Sequence, residues 1–96
     1  MLYIAFVKNR PQTIPGGDLE LKSRKWWNEG GKPKGLKTIA IYGALGTDAP
    51  DVIIFETDNH DDIRKMISFW RDTTDFEVCP GIDLASDFRK QGMKVS

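Results

Sequence analysis

The sequence has few of the residues that most often carry protein chemistry. It contains one cysteine, Cys79, and one histidine, His60. A single cysteine excludes a disulfide within the chain and suits a reducing compartment. A closed zinc site needs four ligands at close spacing, and no such cluster is present. We therefore predict no metal site and no cofactor, and we expect Cys79 to be a small buried apolar residue.

The chain also lacks a charge surplus and a long apolar run. Fourteen basic and fourteen acidic residues give a formal net charge of +0, so nucleic acid is not an expected partner. No apolar stretch approaches the roughly 20 residues of a spanning helix, and we expect no membrane association. The first ten residues, MLYIAFVKNR, have neither the basic start nor the cleavage site of a signal peptide. Composition predicts one cytoplasmic domain, residues 1–96, with a modest core.

The segment 36–57, LKTIAIYGALGTDAPDVIIFET, predicts an antiparallel hairpin. Two β-rich runs, 36–45 and 52–57, flank a stretch rich in Gly, Asp and Pro, which favours a turn. Residues 2–7 and 76–79 read as further strands. Pro80 has no amide hydrogen, which places the last strand at a sheet edge.

Two helices connect these strands, and a third follows them. The first, about 19–29, carries a stripe of Leu19, Ser23, Trp26 and Trp27; Asp18 precedes it as an expected cap. In the second, capped by Asp58 or Asn59, the helical spacing is the clearest in the chain, with apolar residues at i, i+3, i+4 and i+7. They are Ile63, Met66, Ile67 and Trp70. Leu84 and Phe88 predict a short C-terminal helix.

The order β-α-β-β-α-β predicts an α+β, ferredoxin-like split βαβ domain. Right-handed crossovers then give a four-stranded antiparallel sheet of order 4-1-3-2, with two helices on one side. The bulkier apolar set is predicted to face the helices: Leu2, Ile4, Phe6, Ile39, Ile41, Ile53, Phe55, Phe76 and Val78. The predicted opposite set is Tyr3, Ala5, Val7, Thr38, Ala40, Tyr42, Val52, Ile54, Glu56, Glu77 and Cys79.

The second side of this sheet is too apolar to face water. Leaving it exposed forgoes about 25 cal/mol per Å² of apolar area, and a large exposed patch usually marks an interface. We predict that a second copy covers it in a two-fold homodimer, with the C-terminal segment as the rival cover. The same surface mixes small residues with Tyr3, Tyr42 and Glu56, which is also how ligand pockets are built. Simple packing of a dimer core is the competing interpretation.

Most of the chain resembles known proteins. The βαββαβ order with a sheet apolar on both sides is similar to the dimeric α+β barrel superfamily. The stretches KWWNEGG, IIFETDNHDDIRKMISFWRD and DFEVCPGID resemble a small bacterial and archaeal family described as a domain of unknown function. The superfamily includes cofactor-free monooxygenases and isomerases, so the resemblance implies a dimer and leaves the chemistry open.

Single residues offer candidates for a site. His60 lies between a strand and a helix, with Glu56 nearby, and these two are the candidates for moving a proton. A solvated residue of the first helical turn is the competing interpretation of His60. Trp27, at the edge of its stripe, is the tryptophan we expect to stack on an aromatic guest. Lys32 and Lys34 suggest a weak anion site in a glycine-rich connection that lacks a Walker loop.

These observations predict a homodimer that binds a small aromatic or cyclic ligand between sheet and cover through Tyr3, Tyr42, Glu56 and Trp27. Whether it is an enzyme stays open. A cofactor-independent monooxygenase or isomerase is one alternative. A binding, regulatory or assembly module without chemistry is the other.

Overall fold

A computed structural model describes residues 1–10, 17–46 and 48–96. The elements follow in the order β1 (Leu2–Asn9), α1 (Gly17–Asn28), β2 (Lys37–Tyr42), β3 (Asp51–Glu56), α2 (His60–Trp70), β4 (Thr74–Pro80) and α3 (Leu84–Lys90). The predicted strands and helices are all present. The sequence predicts a connecting loop over residues 9–17, but Asn9 ends β1 and Gly17 begins α1. Residues 11–16 of that loop lie outside the described residues, as does the side chain of Asp18, the expected cap of α1.

The four strands form one antiparallel sheet in the order β2-β3-β1-β4. This order is the predicted 4-1-3-2, so the α+β, ferredoxin-like split arrangement is confirmed. β4 includes Pro80 at its end, paired with Tyr3 of β1. Proline is tolerated there because β4 is an edge strand and needs no donor on its outer side.

A capping side chain begins α2, and two glycines end α1. Asn59 caps α2, since its side-chain oxygen accepts the amide hydrogen of Asp61 at 3.0 Å. After α1, Gly30 has φ +79°, a conformation that glycine adopts without strain. The amide of Gly31 then donates to the carbonyl of Lys25 at 2.9 Å. A Cβ on Gly31 would meet that carbonyl oxygen at 2.8 Å, so the approach requires glycine.

The core lies between the sheet and the two longer helices. Its buried apolar residues are Tyr3, Ala5, Val7, Trp26, Leu36, Phe55 and Met66. Phe55 on β3 and Ala5 on β1 are both 0% exposed. The two central strands therefore lie at the centre of the packing. A small residue at Ala5 lets the helices approach the sheet closely.

The predicted orientation of β1 is wrong. Tyr3 lies opposite Phe55, and Ala5 lies opposite Ile53; residues directly opposite in an antiparallel pair share one face. Tyr3, Ala5 and Val7 therefore point at the helices, and the larger residues point away. Thr38, opposite Phe55, is also on the helix side, contrary to prediction. The other predicted orientations in β3 and β4 hold.

The side of the sheet away from the helices, here called the open face, is more apolar than predicted. It carries the bulkier alternate residues of β1, Leu2, Ile4 and Phe6, in addition to the expected residues of the other strands. Its apolar members are Leu2, Ile4, Phe6, Ala40, Tyr42, Val52, Ile54 and Cys79. No described element packs over it as a layer comparable to α1 and α2 on the other side.

Residues 82–96, here called the arm, follow β4 and include α3. No residue of α3 is buried, and none of the arm belongs to the core cluster. The radius of gyration, 15.4 Å, exceeds the roughly 12.5 Å of a compact chain of this length. The molecule is therefore elongated, with principal extents of 51 × 32 × 20 Å.

Candidate functional site

The first candidate site is a cavity of about 220 Å³ between α1 and the sheet, here called the α1 cavity. Its walls come from both longer helices and from all four strands. The apolar lining residues are Val7, Leu19, Trp26, Trp27, Leu36, Ile41, Ile53, Met66, Trp70 and Phe76. Three tryptophans and a phenylalanine give the cavity flat aromatic surfaces, which suit a planar guest.

Four uncharged polar residues complete the described lining: Asn9, Ser23, Thr38 and Thr74. The Thr74 hydroxyl donates to Oδ1 of Asn9 at 3.1 Å, and the Ser23 hydroxyl donates to the carbonyl of Leu19 at 2.8 Å. Within the described ranges, the Asn9 amide nitrogen and the Thr38 hydroxyl have no hydrogen-bond partner. The α1 cavity can therefore offer a guest a donor at Asn9 and a hydroxyl at Thr38.

The mouth of the α1 cavity is bounded by Trp27, which is 46% exposed. The Lys32 ammonium lies 5.6 Å from the centre of the Trp27 ring, a cation–π distance. This contact covers one face of the ring and favours its observed position at the rim. Trp27 was the tryptophan predicted to contact a guest, and the structure places it on the cavity.

Lys22 ties α1, the roof of the cavity, to the end of α2. Its ammonium donates to the carbonyl of Phe69 at 2.9 Å and to the carboxylate of Asp72, and it lies 5.7 Å from the Phe69 ring centre. The hydrogen bond from Lys22 lowers the pKa of Asp72 below its ordinary value. This link joins the two helices that border the cavity.

The second candidate site is an open groove of about 930 Å³ between α2 and the β1–β4 edge, here called the α2 groove. Apolar residues of α2 and β4 line it, together with Tyr3 and the basic side chains of His60, Arg64 and Arg71. The Tyr3 ring stacks on Phe55 with centres 5.5 Å apart and meets the His60 ring edge-on at 6.5 Å. Tyr3 and His60, both sequence candidates, are thus brought together here.

The structure does not bring the other two candidates to this groove. Tyr42 and Glu56 lie on the open face, where Tyr42 is 63% exposed. Glu56 is exposed as well and lies opposite Leu2 on one side and Lys37 on the other. The two tyrosines are on opposite sides of the sheet, and the cause is the orientation of β1.

The carboxylates beside His60 are engaged elsewhere. Asp61 accepts hydrogen bonds from Arg64, which lower its pKa from the ordinary value. Asp62 is buried and accepts a hydrogen bond from the Thr57 hydroxyl at 2.8 Å. His60 itself is the exposed first residue of α2. The neighbouring carboxylates Asp61 and Asp62, which could orient it as a base, thus have other partners.

The described ranges contain neither a metal-binding cluster nor a membrane-spanning helix. No group of three or more His, Cys, Asp or Glu side chains within residues 1–10, 17–46 and 48–96 is arranged to hold a metal ion. Every helix in the described part of the chain is too short or too polar to cross a bilayer. Cys79 has a free thiol and is half-buried on the open face.

Sequence reasoning missed Asn9, Thr38 and Thr74 as cavity residues. Asn9 was assigned to a connecting loop, and Thr74 lies before the predicted start of the last strand. Their signal in the sequence is weak because a polar residue at a strand end usually faces water. The pairing of Asn9 with Thr74 across β1 and β4 brings both into the cavity.

The fold defines this chain as a small α+β domain with a ferredoxin-like split βαβ arrangement. Residues 1–92 match the family described as Domain of unknown function (DUF3303). Because the match spans nearly the whole chain, the protein belongs to that family, in agreement with the resemblance seen in the sequence. No curated protein and no solved structure gives a significant match.

Proposed function

We propose that this protein binds a small, uncharged aromatic molecule in the α1 cavity and that it does so as a homodimer joined through the open face. The observation that carries the proposal is the cavity itself. It combines a defined volume, aromatic walls and two polar groups with spare hydrogen-bonding capacity.

The size of the α1 cavity selects the class of guest. An apolar cavity of about 150 Å³ takes up benzene, so 220 Å³ has room for two fused rings. Small-molecule sites are mostly apolar, with a few polar groups that fix orientation. Asn9 and Thr38 fit that role, since they lie at the ends of strands on the cavity wall.

The lining also selects the charge of the guest. The described lining residues carry no ionisable side chain, and moving a charge from water into such a site without a counter-charge is costly. A neutral ring therefore fits better than its carboxylate or sulfonate analogue. The same residues supply no proton donor or acceptor near neutral pH, which supports binding rather than the monooxygenase or isomerase alternative.

The open face supports the dimer. Its apolar side chains form a continuous surface across all four strands, and soluble monomers rarely expose such a patch beyond a few hundred Å². A two-fold axis through this surface would cover both copies with one kind of contact. In that arrangement the α1 cavities stay on the outer sides of the dimer, accessible to ligand.

The ligand proposal is tested with 1-naphthol and its charged analogue 1-naphthoate. Isothermal titration should give a dissociation constant below about 100 µM for 1-naphthol and binding at least about tenfold weaker for 1-naphthoate. Ser23→Phe, which fills the cavity from α1, should abolish 1-naphthol binding. Arg24→Phe is the matched control, because its side chain is 62% exposed and forms an ion pair with Glu20.

Binding of 1-naphthol that survives Ser23→Phe, in a variant with unchanged circular dichroism, would refute the site. Equal affinity for 1-naphthol and 1-naphthoate would refute the argument from charge. Failure of the control to bind would mean that the loss in Ser23→Phe reports damage to α1 rather than a filled cavity.

A further inference from the structure

The arm carries apolar residues that the body of the same copy leaves uncovered. Leu84 is 55% exposed and Phe88 is 39% exposed. Because they are four residues apart in α3, they lie on one side of the helix. A seven-residue helix is marginal in water on its own, so α3 needs a surface to pack against.

The base of the arm is fixed to the sheet. The amide of Gly81 donates to the carbonyl of Leu2 at 2.9 Å, which continues the β1–β4 ladder beyond Pro80. A Cβ on Gly81 would meet Cδ1 of Ile4 at 3.0 Å, so the backbone here lies directly against β1. Because the Ile4 side chain belongs to the open face, the base of the arm lies on that side of β1. None of the arm's residues lines the α2 groove of its own copy.

The α2 groove and the arm carry apolar residues at the same helical spacing. Ile63 and Ile67 line it with the same four-residue spacing as Leu84 and Phe88, and rows at this spacing interdigitate when two helices pack. Ile67 is 38% exposed, which leaves apolar area for a partner to cover.

The first turn of α3 carries charge opposite to that of the groove. Three side chains that line the groove are basic, namely His60, Arg64 and Arg71, and Arg64 is already paired with Asp61. On the arm, Asp83 and Asp87 lie beside Leu84, whereas Arg89 and Lys90 lie in the last turn of α3. Arg71 and Asp87 form no ion pair within the described ranges, so their charges are available to a partner.

We propose that the arm of each copy packs along the α2 groove of a second copy, with Leu84 and Phe88 against Ile63 and Ile67. Each copy has one arm and one groove, so a two-fold exchange fills both grooves with no site left over. This inference rests on the proposed dimer and adds a second contact to it. The groove is then an assembly site, separate from the α1 cavity.

The test measures dimer dissociation by sedimentation and contact by NMR. Phe88→Ala and Ile67→Ala should each raise the dissociation constant of the dimer by about tenfold or more. Leu21→Ala, on the exposed side of α1 at 60% exposure, is the control and should leave it unchanged. In a mixture of isotope-labelled and unlabelled wild-type chains, filtered spectra should show contacts between the Phe88 ring of one copy and the Ile67 methyls of another.

Each outcome decides the proposal. Contacts between copies, together with weakened dimers in both variants, support it. A stable dimer with unchanged dissociation constants and no such contacts overturns the arm exchange while leaving the open-face dimer standing. Contacts only within one copy show the arm folded onto its own groove, which also overturns it. A wild-type protein that stays monomeric at every concentration overturns the dimer and the exchange together.

Discussion

A lysine in the middle of the open face should convert the proposed dimer into a folded monomer. Ile54 is the best position, because it lies on the central strand β3 between Ile4 and Ala40 on the same face. Its side chain points away from the core. The substitution Ile54→Lys therefore changes the proposed interface and leaves the packing under the helices intact.

The magnitude follows from the position of Ile54 in the proposed interface. Ile54→Lys removes about 1.5 to 3 kcal/mol of apolar burial and adds several kcal/mol for desolvating an ammonium. A loss of about 4 kcal/mol raises the dissociation constant roughly a thousandfold.

Sedimentation velocity over a range of micromolar concentrations measures this change. Wild type should sediment as a dimer and Ile54→Lys as a monomer with the same far-ultraviolet circular dichroism. Ala40→Lys, beside Ile54 on β2, should also give a monomeric or insoluble protein. Leu21→Lys on the outer side of α1 is the matched control. A dimer of unchanged strength in both open-face variants would mean that the copies associate through another surface.

Two further predictions concern stability. Thr57→Val removes the hydroxyl that donates to the buried Asp62 carboxylate, so the free energy of unfolding measured with urea should fall by about 1.5 to 3 kcal/mol; Thr57→Ser, which keeps the hydroxyl, should lose much less, and an equal loss in both would contradict the hydrogen-bond argument. The hydrogen bond from Lys22 holds the pKa of Asp72 below its unfolded value, so its stabilisation is present above about pH 4 and is lost as the pH falls through the lower folded pKa. Wild type should therefore be more stable than Asp72→Asn near neutral pH and lose that advantage at acidic pH; an advantage that stays constant over this range would exclude the ionised carboxylate as its source.

The sequence was sufficient to predict the order of elements and the topology. The i, i+3, i+4, i+7 spacing in α2 and the hairpin at β2 and β3 are strong local signals. Once the order βαββαβ is known, the handedness of crossovers leaves one strand order. The edge position of β4 followed from Pro80, whose missing amide hydrogen is a property of that single residue.

The orientation of β1 could not be predicted from the sequence, for a physical reason. Both faces of the strand are apolar, so hydrophobicity does not decide which face is buried. The prediction buries the bulkier face, but a close approach of the helices to the sheet favours the small side chain of Ala5. The face that β1 turns to the helices is set by its pairing with β3, which places Tyr3 opposite Phe55. The register between two strands so far apart in the chain leaves no recognisable pattern in the local sequence.

The candidate site was predictable only in part for the same reason. Trp27 could be chosen because it falls at the edge of a helical stripe. Asn9 and Thr74 become neighbours through the β1–β4 pairing, and they are far apart in the chain. Tyr42 and Glu56 were grouped with Tyr3 on the assumption that all three share a face, and the register separates them.

The central position of the first strand has a consequence for synthesis of the chain. β1 leaves the ribosome before the other six described elements, yet its partners are residues 51–56 and 74–80. The first neighbour of β1 exists only after residues 51–56 have been made, and the second only after residues 74–80. When strands far apart in the chain pair, the entropy of closing the loop between them is lost before stabilising contacts form. β1 therefore stays unpaired until β3 has been made, and we expect the sheet to be completed only after β4 has followed.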